Sequence, residues 1–187
     1  MKAFQIEKLE LEGSCVIHNF FSKDSRGGFM KLFERDIYAA GGIDFALNET
    51  FVTVSSRNVI RGLHFQRNRP QAKLVSVVQG KVWDVIVDLR PDSDTFRQWL
   101  GVELGGDQHK SLYVPRGFAH GFAALEDQTI MVYQCQGAYD KETDTGIRFD
   151  DPDLGIRWPV DLTEAIHSER DLELMNFQEY IRNPMVL

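Results

Sequence analysis

The sequence has few cysteines and no long apolar run, and each scarcity excludes a class of protein. Cys15 and Cys135 are the two cysteines among 187 residues, so there is neither a disulfide framework nor a zinc-binding spacing. No run of about 18 apolar residues marks a membrane-spanning helix. Residues 1–7 do not read as a signal peptide. Both cysteines lie in apolar surroundings, and we expect buried thiols in a cytoplasmic protein that does not contact membrane.

Basic residues are also in deficit. The chain has 21 Lys plus Arg against 28 Asp plus Glu, a formal net charge of −7. A general nucleic-acid-binding protein needs a basic surface, so no nucleic-acid partner is expected. A local cluster of arginines can still bind a small anion. With 43% hydrophobic residues, the length suits one core, and we expect a single domain over residues 1–187.

Short strands dominate the pattern, while long helical periodicity is missing. About ten apolar runs recur at roughly 8–12-residue spacing, separated by Gly, Asp and Pro. We expect a turn at 22–28, one or two helical turns at 34–41, and a short helix within 162–174. Ser168 is the expected cap of that last helix, with Asp171 three residues later. The pattern predicts an all-β sandwich or barrel with short peripheral helices.

Residues 57–90 place basic side chains among strand-like apolar runs. Strict alternation in a strand puts Arg61 and Leu63 on one face and His64 on the other. Lys73 follows on the next apolar run. Such polar groups need partners or a chemical task, and singly each is most often structural. Their grouping favours a functional site.

Five sequence blocks together resemble a known family. In chain order they are DSRGGF (24–29), RGLHFQ (61–66), KLVSVVQGKVWDVIVDLRPDSDTF (73–96), VPRGFAHGF (114–122) and GIRFDDPDLGIRWP (146–159). Their order and spacing resemble the dTDP-4-dehydrorhamnose 3,5-epimerases, from about residue 14 to about residue 174. The resemblance implies a cupin-like jelly roll without metal or other cofactor. It also implies a nucleotide-sugar substrate and a homodimer in which N-terminal strands cross to the partner's sheet.

The family reaction inverts carbons next to the ketone of a nucleotide-linked 4-keto-6-deoxyhexose, by default dTDP-4-dehydro-6-deoxy-D-glucose, giving dTDP-4-dehydro-L-rhamnose. A base removes a proton, an enolate forms, and an acid returns a proton to the other face. The resemblance implies His64 as base, Asp171 as its orienting carboxylate, Lys73 as enolate stabiliser and Tyr133 as acid. It implies substrate-binding roles at eight positions: Arg26, Phe29, Lys31, Glu49, Phe51, Arg61, His120 and Tyr139.

Several of these positions depart from the family pattern. Lys31 stands where a glutamate is usual, and Glu49 and Phe51 stand where a glutamine and an asparagine are usual. Ala138-Tyr139 replaces an aromatic pair whose first member stacks on the nucleotide base. An inverted charge and a lost stacking surface both alter recognition. The chemistry is therefore expected to be retained, while the substrate identity does not follow.

Three alternatives stay open. One is an epimerase that inverts C3 or C5 alone, or that takes another nucleotide sugar such as a CDP-linked one. Another is a non-catalytic sugar-nucleotide-binding cupin. A metal-dependent cupin oxygenase is disfavoured, because His64 is followed by Phe65-Gln66 rather than by the second histidine of an H-x-H pair.

Overall fold

The computed structural model describes residues 4–185, within which two antiparallel sheets pack face to face as a jelly roll. The larger sheet contains, in spatial order, β1 (Gln5–Lys8), β2 (Cys15–His18), β10 (Lys110–Val114), β7 (Ala72–Gln79), β12 (Thr129–Gln136) and β5 (Glu49–Ser55). The smaller contains β13 (Asp144–Gly146), β6 (Ile60–Gln66), β11 (Phe118–Ala124), β8 (Lys81–Asp88) and β9 (Trp99–Gly105). A separate hairpin pairs β3 (Phe20–Asp24) with β4 (Gly27–Lys31).

The main core lies between the two sheets. Val75 and Val77 of β7 meet Val82 and Ile86 of β8 there, all fully buried. A second cluster covers the outer side of the smaller sheet, where Val85 and Val87 pack under the C-terminal helix. Strand β8 is thus buried on both faces, which is why its sequence reads as a nearly continuous apolar run.

Three short helices lie outside the sheets: α1 (Arg35–Ala40), α2 (Glu169–Leu172) and α3 (Phe177–Arg182). The predictions of α1 and of a capped α2 are confirmed, since the Ser168 side chain accepts the Asp171 backbone N–H. Helix α3 was not predicted, although its capping box of Asn176 and Glu179 is local. No helix within the described range is long and apolar enough to cross a membrane.

The all-β prediction is confirmed, and the predicted turn at 22–28 is wrong. Residues 22–28 were expected to form a turn, but most of them extend β3 and β4, and only Ser25 and Arg26 lie between the strands. Gly and Asp are poor strand formers by themselves, and the cross-strand pairing of β3 with β4 overrides that local preference. The expected domain limits, 1–187, include residues 1–3 and 186–187, which lie outside the described residues.

Candidate active site

A cavity of about 300 Å³ opens among β5, β6, β7, β11, β12 and α2. Seven of the twelve predicted site residues line it: Phe51, Arg61, His64, Lys73, His120, Tyr133 and Asp171. Thr53, Ser168 and Arg170, which were not predicted, line it as well. The long-range pairing of five strands therefore gathers side chains that are far apart in the sequence.

Strand β6 presents both Arg61 and His64 to this cavity, so the prediction that they occupy opposite faces is wrong. His64 pairs with His120 of β11, while Arg61 pairs with Phe122. Three steps along β6 therefore match two steps along β11, which is a β-bulge. The bulge shifts the alternation by one residue and leaves Leu63 fully buried.

Gly62 makes the bulge sterically feasible. Its φ is +121°, a conformation that L side chains rarely adopt. A Cβ at this position would lie 2.6 Å from the Gly121 Cα and 2.8 Å from the His120 carbonyl oxygen. The close approach of β6 to β11 beside the cavity therefore requires glycine.

His64 and Asp171 form a hydrogen-bonded pair, with 2.7 Å between Nε2 and Oδ1. Burial raises the pKa of Asp171, but hydrogen bonds from His64, from Ser168 and from the Gly62 backbone outweigh it, and the pKa is lowered. An ionised carboxylate only accepts, so Nε2 carries the proton and Nδ1 keeps a lone pair. No group among residues 4–185 hydrogen-bonds to that Nδ1.

A second histidine–carboxylate pair lies deeper. His120 Nε2 is 2.9 Å and 3.0 Å from the two carboxylate oxygens of Asp84, and both residues are buried. Burial raises the pKa of Asp84, while His120 and Lys73 counteract it. Asp84 was missed, although an acid between Val82-Trp83 and Val85-Ile86-Val87 is a visible signal. Across the described range, no three His, Cys, Asp or Glu side chains gather as a metal site.

Lys73 and Tyr133 bring an amine and a phenol to the cavity. Burial lowers the pKa of Lys73, opposed by Cys135, Asp144, Asp84 and Glu49. Burial raises the pKa of Tyr133, so its phenol keeps its proton at neutral pH. Its ring is 6% exposed and stands edge-on to the His120 ring at 5.9 Å.

Glu49 and Tyr139 lie near the cavity without lining it. Glu49 accepts a 3.0 Å hydrogen bond from Gln71, and the Tyr139 hydroxyl donates to Asp144 at 3.2 Å. Asp144 also pairs with Arg170, which does line the cavity, at 2.8 Å. Arg170 precedes Asp171 in the sequence, and its place beside a predicted site residue is the signal that sequence reasoning overlooked.

Arg26, Phe29 and Lys31 lie elsewhere in the chain. Arg26 and Phe29 border a different surface depression on the β3–β4 hairpin. The Arg26 side chain is 88% exposed and pairs with Asp24 at 2.6 Å. Lys31 Nζ contacts Glu34 at 2.6 Å. A single chain therefore does not bring these three predicted substrate-binding residues to the cavity.

The jelly roll brings an imidazole, a phenol and a primary amine into one cavity, a set of groups that suits an enzyme of the β-sandwich class whose chemistry moves protons. Comparison with known proteins agrees. Residues 8–179 match the dTDP-4-dehydrorhamnose 3,5-epimerase family, and the chain belongs to this family. It is an isomerase.

Individual relatives support that membership. The chain is 42% identical to a dTDP-4-dehydrorhamnose 3,5-epimerase of Methanothermobacter thermautotrophicus, over 100% of both chains. A crystal structure of a dTDP-6-deoxy-D-glucose-3,5-epimerase from Legionella pneumophila, in complex with dTDP-4-keto-L-rhamnose, has a TM-score of 0.89 and 34% identity, covering 93% of each chain. A 3′-monoepimerase from Streptomyces bikiniensis, in complex with dTDP-quinovose, has a TM-score of 0.86 and 31% identity, covering 94% of this chain and 89% of that one.

Proposed function

We propose that the chain epimerises a nucleotide-activated 4-keto-6-deoxyhexose, converting dTDP-4-dehydro-6-deoxy-D-glucose to dTDP-4-dehydro-L-rhamnose. The observation that carries the proposal is the shared cavity of His64, paired with Asp171, and Tyr133. A base and an acid that line one cavity from different sheets suit removal of a proton from one face and its return to the other. The family name supports the choice of substrate.

The proposed roles follow from the contacts. The free Nδ1 lone pair of His64 takes the proton next to the ketone, and Asp171 stabilises the imidazolium that forms. Lys73 balances the negative charge on the enolate oxygen. Tyr133 returns a proton to the opposite face. Arg61, with His120, Phe51, Glu49 and Tyr139 around it, binds the remainder of the substrate.

Solvent exchange tests the proposal. The protein is incubated with dTDP-4-dehydro-6-deoxy-D-glucose in D2O, and deuterium at C3 and C5 is followed by NMR. We expect exchange and inversion at both carbons, abolished in His64→Ala. His18→Ala is the matched control, because His18 is partly exposed and its one side-chain hydrogen bond within residues 4–185 is to Glu7. Absence of exchange with the dTDP, CDP and GDP sugars would overturn the proposal.

A second candidate is inversion at C3 or C5 alone. It is favoured by the similarity to a 3′-monoepimerase and by Phe51, which lines the cavity where the family usually has asparagine. A changed wall alters which sugar geometry fits without removing the base. Deuterium at only one carbon in the same experiment would select this function.

We also propose that the protein acts as a homodimer whose partner supplies Arg26, Phe29 and Lys31 to the cavity. The β3–β4 hairpin that carries them lies apart from the cavity of its own chain. The outer face of β5 exposes Val52 and Val54, 54% and 55% accessible, which is an apolar surface suited to a second copy.

Subunit mixing tests this arrangement. His64→Ala and Arg26→Ala are each expected to be inactive alone. Random mixing makes about half of the dimers heterodimers. If Arg26 acts on the partner's site, each heterodimer has one intact site of its two, so about a quarter of wild-type activity returns. A monomeric mass in sedimentation, or no recovery on mixing, would contradict the dimer.

The setting we propose is one domain in the cytoplasm. Both sheets share one core cluster, which supports a single domain. Cys15 and Cys135 are free and buried, and burial raises the pKa of each to about 11. Unreactive, unpaired thiols suit a reducing compartment.

A further inference from the structure

Neighbouring side chains confine Tyr133 on three sides. Val75, its cross-strand neighbour in β7, is fully buried. The His120 ring meets it edge-on at 5.9 Å and 70°. On the remaining side Phe51, its cross-strand neighbour in β5, stacks on it with 4.6 Å between ring centroids and 12° between ring planes.

Phe51 is unlike the other two confining residues. It lies on β5, the edge strand of the larger sheet, and it is 43% exposed although it lines the cavity. Within the single chain a core role does not account for an aromatic ring in this position, because 43% of its surface is accessible. Its aromatic contact is with the face of the Tyr133 ring. A small side chain here would leave that face open and the phenol free to reorient.

We propose that Phe51 is a positioning residue: its ring holds the Tyr133 phenol in one direction and thereby couples each deprotonation of the sugar to inversion. The inference rests on the proposed function. His64 removes a proton from carbon, and the C–H electron pair forms the enolate. Inversion follows when the enolate takes the Tyr133 proton on the other face, and the phenolate regains one from solvent.

The competing event is return of a proton by His64 to the original face. In D2O the histidine exchanges its proton with solvent, so this event leaves deuterium at the carbon without inversion. The ratio of inverted to exchanged sugar therefore reports how well Tyr133 is placed. The rate of deuterium uptake reports His64 separately. A role of Phe51 in folding or in substrate affinity alone would move KM or the overall rate but not this ratio.

The test compares Phe51→Leu, Phe51→Asn and Phe51→Tyr with the wild type in D2O, with inversion and deuterium content at C3 and C5 measured by NMR. We expect the ratio to fall about two- to tenfold in the Leu and Asn variants, the factor that corresponds to a stacked aromatic pair. Phe51→Tyr keeps the ring and should keep the ratio. Circular dichroism checks the fold of each variant.

Each outcome decides a different question. An unchanged ratio in a folded Leu or Asn variant overturns the inference and leaves the proposed function intact. An equal fall of the ratio in Phe51→Tyr also overturns the inference, because that variant keeps the stacked ring and should keep the ratio. Absence of exchange in the wild type refutes the proposed function itself. If Phe51→Leu does not fold, Phe51→Asn carries the comparison, since a polar side chain suits a half-exposed edge position.

Discussion

Replacing Asp171 by asparagine tests the geometry of the proposed base. The carboxylate accepts the Nε2–H of His64 at 2.7 Å, which leaves the lone pair on Nδ1 of a ring that lines the cavity. An asparagine amide can donate instead and favours the opposite tautomer, in which Nδ1 carries the proton. The volume is almost unchanged, so the substitution alters the proton position more than the packing.

The expected magnitude follows from the role. A positioned general base contributes about 10²- to 10⁴-fold to the rate, and the wrong tautomer forfeits much of this, so kcat should fall about 10²- to 10³-fold. Since the pKa of Asp171 is lowered, wild-type Asp171 is ionised throughout the neutral range. The ratio of the wild-type kcat to the variant kcat should therefore be constant in the neutral range. It should shrink only in acid, where Asp171 itself becomes protonated.

The assay is initial-rate epimerisation together with deuterium exchange at C3 and C5. Glu169→Gln is the matched control: it makes the same carboxylate-to-amide change in the first turn of α2, at an exposed residue. It should retain wild-type rates. An Asp171→Asn enzyme that is folded and within about threefold of wild type would refute the tautomer argument, because a lost general base costs far more.

Three further predictions concern other residues. Tyr133→Phe should keep deuterium exchange while inversion falls at least about 10²-fold; equal loss of both would contradict its role as acid. Asp88→Asn should lower the free energy of unfolding by about 3 kcal/mol, measured by chemical denaturation, because the fully buried Asp88 accepts hydrogen bonds from Arg90, Ser93 and Thr95. Burial raises the pKa of Asp88, but these hydrogen bonds lower it overall. The difference in free energy of unfolding between wild type and Asp88→Asn should therefore narrow below about pH 4, as Asp88 becomes protonated. A difference that does not change with pH would argue against an ionised Asp88. Gly62→Ala should lower the melting temperature and abolish activity, since its Cβ meets β11; a wild-type melting curve would contradict the steric argument.

Most of the short strands and the capped helix α2 could be predicted from the sequence. Apolar runs broken by Gly, Asp and Pro indicated short strands, and the structure has them. Ser168 with Asp171 three residues later indicated a capped helix, because a cap depends only on neighbouring backbone groups. The family resemblance rested on contiguous sequence blocks, which can be recognised without the tertiary structure. The comparisons confirmed it.

Which side chains share the cavity depends on the packing of distant strands. His64 and Asp171 are 107 residues apart, and His120 and Asp84 are 36 apart, so their pairing depends on strand order and register. The bulge in β6 overrode simple alternation, because an extra residue is accommodated only against a particular partner strand. Burial, which sets the protonation of such groups, likewise arises only when distant strands pack together.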